Sequence, residues 1–306
     1  MKKVGFLLLI FAFNLSLFGQ IKTIPVTQKE EDVLRYDSLK NILKDGIKSY
    51  IGQDLYVMPK PENLRKFGYS NFYTDLANKK KYKQCEYSTC YDKLHSKYFH
   101  VLDVIVNKEY NWDHDFLLIE KESKDTVYYK FSGITQVNFP FLVVGYYEKL
   151  KVTYIGKYFY KKNKNEYDVG GKNEIDTYTG NEILNTNGIL WKCSDITVDD
   201  EGKLLMLLEN EKGTISININ WNGLDYDGCR SIIGKSVGDK IKKRSPSIFT
   251  SILNEKIKIG MTESDVLLSW GEPDSKNHAS YGTQWCYGKS GIQCVYFKNG
   301  KVTSWN

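Results

Sequence analysis

The sequence predicts a mainly β protein with an α+β domain at its C-terminal end. Short aromatic and β-branched runs, separated by Gly, Asn and Asp, fill the chain from residue 49 onward. Three of those runs recur in the same order further along. From 245 the texture changes to two helical patterns followed by three strand-like ones.

Residues 1–19 read as a signal peptide. Lys2 and Lys3 form a charged start, and Val4 to Phe13 form an apolar core of secretory length. Gly19 before Gln20 marks the expected cleavage. No cysteine precedes Cys85, so no bacterial lipid anchor is expected. No second long apolar run follows, so the mature chain is expected to have no transmembrane segment. The expected location is the periplasm or beyond.

Removing Lys2 and Lys3 from the 43 basic residues leaves 41 against 37 acidic ones. That mild excess, with export, argues against a nucleic-acid partner. The basic runs at 79–83, 161–164 and 240–244 read as solvated loop faces, with an anionic lipid surface as the functional alternative.

Residues 20–48 form an N-terminal helical segment: Val33, Leu34, Leu39, Ile42, Leu43 and Ile47 have broadly helical spacing, ending near Asp45-Gly46. Two β modules follow, at 49–135 and 150–225. SYIGQDLYV (49–57) recurs as TYIGKYFYK (153–161), and HVLDVIVNKEY (100–110) matches KCSDITVDDEG (192–202). FLLIEKESKDTVYYKF (116–131) matches LMLLENEKGTISINI (205–219), beginning with Phe116 beside Leu205. Ile215, Ile217 and Ile219 alternate with polar residues, as in a strand with one wet face. Each module reads as a small antiparallel sheet or barrel of about five strands; the order of elements is similar in layout to SH3-like barrels. Duplicated modules suggest a binding surface more than a catalytic centre.

At 245–306, Ser245 caps a helix with Pro246 at its first position. Thr262-Glu263-Ser264-Asp265 forms a capping-box-like start for the next helix, which Gly271 and Pro273 end. Strand-like runs occupy 281–287, 292–298 and 301–306, and Asn299-Gly300 predicts a type I′ hairpin. The combination of Gly260, Met261, Thr262 and Val266 with Gly271 and Pro273, then W-x-Y at 285–287, V-Y-F at 295–297 and N-G-K-V at 299–302, resembles the BamE-like (SmpA/OmlA) family. The resemblance covers this domain only. It implies a helix-helix-three-strand fold, protein–protein contact and no catalysis.

Six cysteines in an exported chain suggest disulfides, and proximity pairs Cys85 with Cys90, Cys193 with Cys229, and Cys286 with Cys294. A three-residue loop at 289–291 sets Cys286 opposite Cys294, at a separation a bridge tolerates. Cys85, Cys90, His95 and His100 recur every five residues, yet their spacing matches no common zinc site, and a local disulfide is favoured. Asp113-His114-Asp115 reads as an exposed hairpin loop, and Asp225, Asp227 and Gly170-Gly171 as turns.

No nucleophile elbow, P-loop, zincin or dinucleotide motif is present, so neither cofactor nor metal is expected. Trp285, Tyr287, Tyr296 and Trp305 are a candidate aromatic binding face, or core packing beneath the helices. The functional expectation is an exported, non-enzymatic envelope protein that contacts a protein partner. Glycan or anionic lipid headgroups are the alternative ligands, and an unrecognised hydrolase is a third reading.

Overall fold

The computed structural model describes residues 40–43, 46–106, 113–132, 139–162, 174–184, 186, 188–219, 231–280, 282–288 and 293–306. The expected signal peptide, residues 20–39 of the helical segment, Gly170-Gly171, Asp225, Asp227, Cys229 and the 289–291 loop lie outside them. No helix among the described residues is long and apolar enough to cross a membrane.

A 3-10 turn at Ile47–Tyr50 leads into β1 (Asp54–Val57). Then come α1 (Glu62–Arg65), β2 (Phe72–Asp75), β3 (Lys80–Lys81), β4 (Gln84–Cys85), β5 (Ser88–Thr89) and α2 (Tyr91–Leu94). Strands β6 (Tyr98–Val106), β7 (Asp113–Glu120), β8 (Thr126–Ser132) and β9 (Phe141–Val143) complete a sheet of order β3-β2-β8-β7-β6-β1-β9. The next set runs α3 (Val144–Tyr154), β10 (Tyr158–Lys161), β11 (Glu174–Ile175), β12 (Glu182–Ile183), β13 (Leu190–Val198), β14 (Leu204–Asn210), β15 (Gly213–Asn218) and β16 (Ile232–Gly234). Its sheet has the order β15-β14-β13-β10-β16, with β11 and β12 as a separate hairpin.

The two sheets share one plan. Four strands form a meander, and a three-residue fifth strand then returns to pair antiparallel with the first. The likeness extends to single residues. In β6 the register with β7 slips between Val101 and Asp103, and in β13 the register with β14 slips between Cys193 and Asp195. At each bulge an aspartate accepts a hydrogen bond from the following amide, Val104 to Asp103 at 2.7 Å and Ile196 to Asp195 at 2.8 Å. Gly52 and Gly156, at φ 80° and 82°, donate to the carbonyls of Val101 and Cys193 at 2.9 and 2.8 Å. Only glycine takes that conformation without strain, so a glycine precedes the first strand of each module.

One detail differs from the sequence match. Val104 faces Phe116 and Ile196 faces Met206, so Phe116 is equivalent to Met206 rather than to Leu205. The β7–β8 connection is longer than the β14–β15 one, and a single gap at the turn could not place the offset correctly.

Among the described residues neither sheet closes into a barrel, because β3 and β9, and likewise β15 and β16, remain separate edges. A three-residue last strand that runs straight into a helix has no length left to bridge the gap. The edge of β9 is covered instead by Asn41, whose side chain donates to the Phe141 carbonyl at 2.7 Å and accepts from the Val143 amide at 2.8 Å. Residues 40–43, at the end of the expected helix, are accordingly non-helical.

The inner faces of both sheets belong to one continuous core. Phe72, Phe99, Phe116, Tyr129, Phe139 and Phe141 are fully or almost fully buried there, with ring centroids 4.9 to 6.3 Å apart. Burying such a ring contributes roughly 1.5–3 kcal/mol. The aromatic excess therefore goes largely into packing. His114, expected in an exposed loop, sits instead on β7, buried beside Phe131. Its alternation with Phe116 and Leu118 continues the inward row of a strand.

The C-terminal region has α4 (Lys235–Arg244), α5 (Pro246–Leu253) and α6 (Glu263–Trp270). The antiparallel sheet β17 (Ser275–Ala279), β18 (Gly282–Tyr287), β19 (Gln293–Lys298) and β20 (Lys301–Trp305) follows. Three strands were expected; β17 is a fourth, and it lacks any buried residue that could mark it by apolar alternation. Ser245 caps α5, accepting from the Ile248 amide, with Pro246 at the start. Thr262 and Asp265 form a reciprocal capping box on α6, which Gly271 terminates at φ 82°. Asn299 and Gly300 both have positive φ, as a type I′ hairpin requires. A second core holds Met261, Val266, Trp285, Val295, Phe297 and Val302 together with the helices.

Candidate functional site

Among the described residues, the segment between β1 and β6 frames an open groove. Chain direction there is set by close backbone approach: a Cβ on Gly68 would stand 2.1 Å from the Thr89 carbonyl oxygen. Tyr69 and Thr89 exchange backbone hydrogen bonds at 2.8 and 2.9 Å, tying α1 to the β4–β5 hairpin. A disulfide joins Cys85 and Cys90 across that hairpin. So small a loop has almost no core of its own, and the crosslink takes the place of one. The bridge also settles the every-fifth-residue pattern, since both sulfurs are consumed. His95 stacks on Tyr91 at 4.5 Å, while His100 pairs with Asp54 at 2.9 Å.

Around this hairpin lies an open groove of about 370 Å3, lined by Arg65, Lys66, Gly68, Ser88, Tyr91, Asp92 and both cysteines. Tyr91 forms one wall, its ring stacked with those of His95, 4.5 Å away, and Tyr69, 5.8 Å away. The Arg65 guanidinium lies 5.4 Å from the Tyr91 ring and donates to the carbonyls of Lys60 and Asp200. Arg65 is thus held in place at the rim rather than free to swing. The Asp200 carboxylate beside it is 85% exposed, so their ion pair adds little energy. Lys60 sits beneath, donating to the Gly68 carbonyl, and burial lowers its pKa. Burial also pushes the Tyr69 hydroxyl up, and that hydroxyl donates to the Met58 carbonyl.

Two large side chains next to the groove are conspicuously wet. Phe67 is 61% exposed and Tyr87 is 92% exposed. The Ser88 hydroxyl donates to the Phe67 carbonyl at 2.6 Å, so the two aromatic segments are held side by side. The Lys66 ammonium lies 5.0 Å from the Phe67 ring. Chemically, the groove and its surround offer exposed apolar rings together with the positive charges of Arg65 and Lys66, which suits a partner carrying carboxylate or phosphate next to apolar surface.

The C-terminal aromatic residues are not brought together. Trp285 is buried against Phe297, with the Lys276 ammonium 4.6 Å from its ring. Tyr287 packs edge-on to Trp270 and donates to the Gly271 carbonyl at 3.1 Å. Tyr296 lies on the opposite face of the sheet, and Trp305 stands partly exposed on its edge strand. Gly260, Met261, Thr262, Val266, Gly271 and Pro273 occupy the approach, first turns and exit of α6, where they shape the backbone.

Cys286 and Cys294 are directly opposed and bridged, with Cα atoms 4.1 Å apart. Cys193 is a buried free thiol on β13, and burial, with Asp195 and Glu209 nearby, pushes its pKa up to about 12. The basic runs divide. Lys161 and Lys162, expected on a wet loop, are buried: Lys161 pairs with Glu174 at 3.1 Å and Lys162 donates to the Ser269 carbonyl at 3.3 Å. Lys161 ends β10 and Lys162 follows it, and their charge alone does not signal this burial.

No protein-family model, no curated protein and no solved structure matches this chain.

The groove escaped sequence reading because its residues belong to no motif. The available signal was local and weak: Phe67 follows Arg65-Lys66 and Tyr87 sits between Glu86 and Ser88, polar settings in which an aromatic side chain is less readily buried.

Proposed function

We propose that this chain is an exported, non-enzymatic cell-envelope protein that acts by binding a partner protein. The groove beside the Cys85–Cys90 bridge is its recognition site. The observation that carries the proposal is the pair of exposed rings, Phe67 and Tyr87, next in sequence to the Lys66 and Ser88 that line a groove framed by a crosslinked hairpin and Arg65. Exposed aromatics with Arg on a rigid rim are the usual composition of an interaction hot spot. Two bridged cysteine pairs are compatible with an oxidising compartment. The BamE-like resemblance of the C-terminal domain points the same way, toward assembly or adaptor work in the envelope.

A glycan or anionic lipid headgroup is the second reading. It is favoured by Lys66 standing over Phe67, a ring-and-cation arrangement that also suits an acidic saccharide. Affinity capture from an envelope extract, comparing the mature protein with a Phe67→Ser/Tyr87→Ser variant, separates these outcomes. A protein partner lost in the variant supports the proposal. A partner set that is unchanged removes the groove from it, and retention only on anionic vesicles or glycan resin favours the second reading.

A further inference from the structure

Among the described residues, the C-terminal sheet follows the plan of the other two with one strand fewer. Its four strands form the meander β17-β18-β19-β20, matching β1-β6-β7-β8 and β10-β13-β14-β15. Each meander begins alike: a helical turn ends on an aromatic residue (Tyr50, Tyr154, Trp270), and a glycine at φ 80–82° follows (Gly52, Gly156, Gly271). In the first two sheets a three-residue strand then pairs antiparallel with the first strand, Leu142 opposite Tyr56 and Ile233 opposite Tyr160. Among the described residues nothing pairs with the corresponding edge of β17. The opposite edge of the same sheet is partly covered: Gly260 donates to the Val302 carbonyl at 2.9 Å, and Val302 donates to that of Met261 at 2.8 Å.

We infer that the open edge of β17 is a strand-addition site whose occupant is β17 of a second copy of this chain, antiparallel about a twofold axis at Asn277. The residues of the edge argue for a like mate rather than an apolar one. All five residues of β17 are exposed, whereas β9 and the first two residues of β16 are buried. On the outer face a polar row crosses the sheet, with Asn277 donating to the Gln284 side chain at 3.2 Å and Gln284 to the Tyr296 hydroxyl at 3.2 Å. Asn277 is the centre of the strand and the open end of that row. A twofold axis there sets Asn277 opposite its counterpart, and two amides can each donate to and accept from the other. On the inner face Lys276 would stand opposite the partner's His278; Lys276 already pairs with Glu272 at 2.9 Å, which offsets its charge. Five residues of strand pairing form a small contact, so the dimer is weak and concentration-dependent.

The test is sedimentation of the mature protein over a concentration series, combined with cysteine trapping. Directly opposed residues place their Cβ atoms about 4.5–5.5 Å apart, close to what a disulfide accepts. Asn277→Cys should therefore give a covalent dimer whose linked peptide is 277 to 277. Ser304→Cys, exposed on β20, should not. Wild-type protein should approach twice the chain mass at high concentration, and Asn277→Lys, which sets like charges face to face, should remain at the chain mass. The inference is overturned by a wild-type monomer at every concentration, by a dimer that Asn277→Lys leaves intact, or by trapping at 304 as efficient as at 277. A monomer would leave the edge to a strand of another protein or to none.

Discussion

Arg244, the last residue of α4, donates two hydrogen bonds of 2.7 Å to the carboxylate of Asp265 in the first turn of α6. That carboxylate is only 2% exposed and also accepts from the amide and hydroxyl of Thr262, at 2.8 Å each. One buried acid thus closes a capping box and fastens two helices. Arg244→Ala would leave it with the Thr262 donors alone. Because the arginine is about half exposed, the expected loss is about 1–2 kcal/mol. Denaturant unfolding followed by tryptophan fluorescence measures it, and Lys240→Ala, exposed on the same helix, should change it by less than about 0.5 kcal/mol.

Gly202 lies in the β13–β14 turn at φ 80°, and a Cβ there would meet the Pro59 carbonyl oxygen at 2.2 Å. The turn of the second sheet is thereby pressed against the chain leaving β1 of the first. Gly202→Ala should cost about 1–3 kcal/mol, from the unfavourable φ together with the displaced contact. Gly180→Ala, at φ 70° in open space, should cost only about 1 kcal/mol, and thermal unfolding of the two variants separates contact from conformation.

Cys193 should resist alkylation in the native protein, because its thiol is buried and its pKa is raised. Denaturing the protein without reductant should expose it to iodoacetamide, while Cys85, Cys90, Cys286 and Cys294 remain protected until reduced. Labelling of Cys193 only after reduction would mean that it pairs with Cys229. The Cys286→Ser/Cys294→Ser variant should lose roughly 2–3 kcal/mol, the usual scale for a short native loop.

Burial raises the pKa of Asp54, but hydrogen bonds from His100 and Lys121 outweigh it, and the carboxyl is held below its ordinary value. A depressed acid contributes stability above its unfolded pKa of about 3.9 and loses that contribution as pH falls through the folded value. Stability should therefore decline with falling pH below about 4, and Asp54→Asn should flatten that acid limb. Urea unfolding midpoints across the range check both; identical slopes in wild type and variant would contradict the pairing.

The parts of the fold that the sequence made legible were those with local physical causes. The glycines ahead of the first strands, the Ser245 and Thr262 caps, the Asn299-Gly300 turn and the Cys286–Cys294 register each depend on a few neighbouring residues. The parts that were missed depend on distant ones. Strand β17 carries no apolar alternation, His114 is buried where β8 brings Phe131 beside it, and Lys161 is tolerated inside because Glu174 arrives from another hairpin. The groove belongs to the same class: Gly68, Thr89 and Tyr91 converge through backbone contacts that no spacing rule records.

The most direct test of the recognition site is photo-crosslinking in intact envelopes, with a photoreactive aromatic residue replacing Tyr87, the most exposed ring beside the groove. Recognition through the groove predicts a discrete protein adduct at 87 that is absent when the same residue replaces Tyr178, exposed on the other module. A lack of any protein adduct at 87, or the same adduct at both positions, would contradict it.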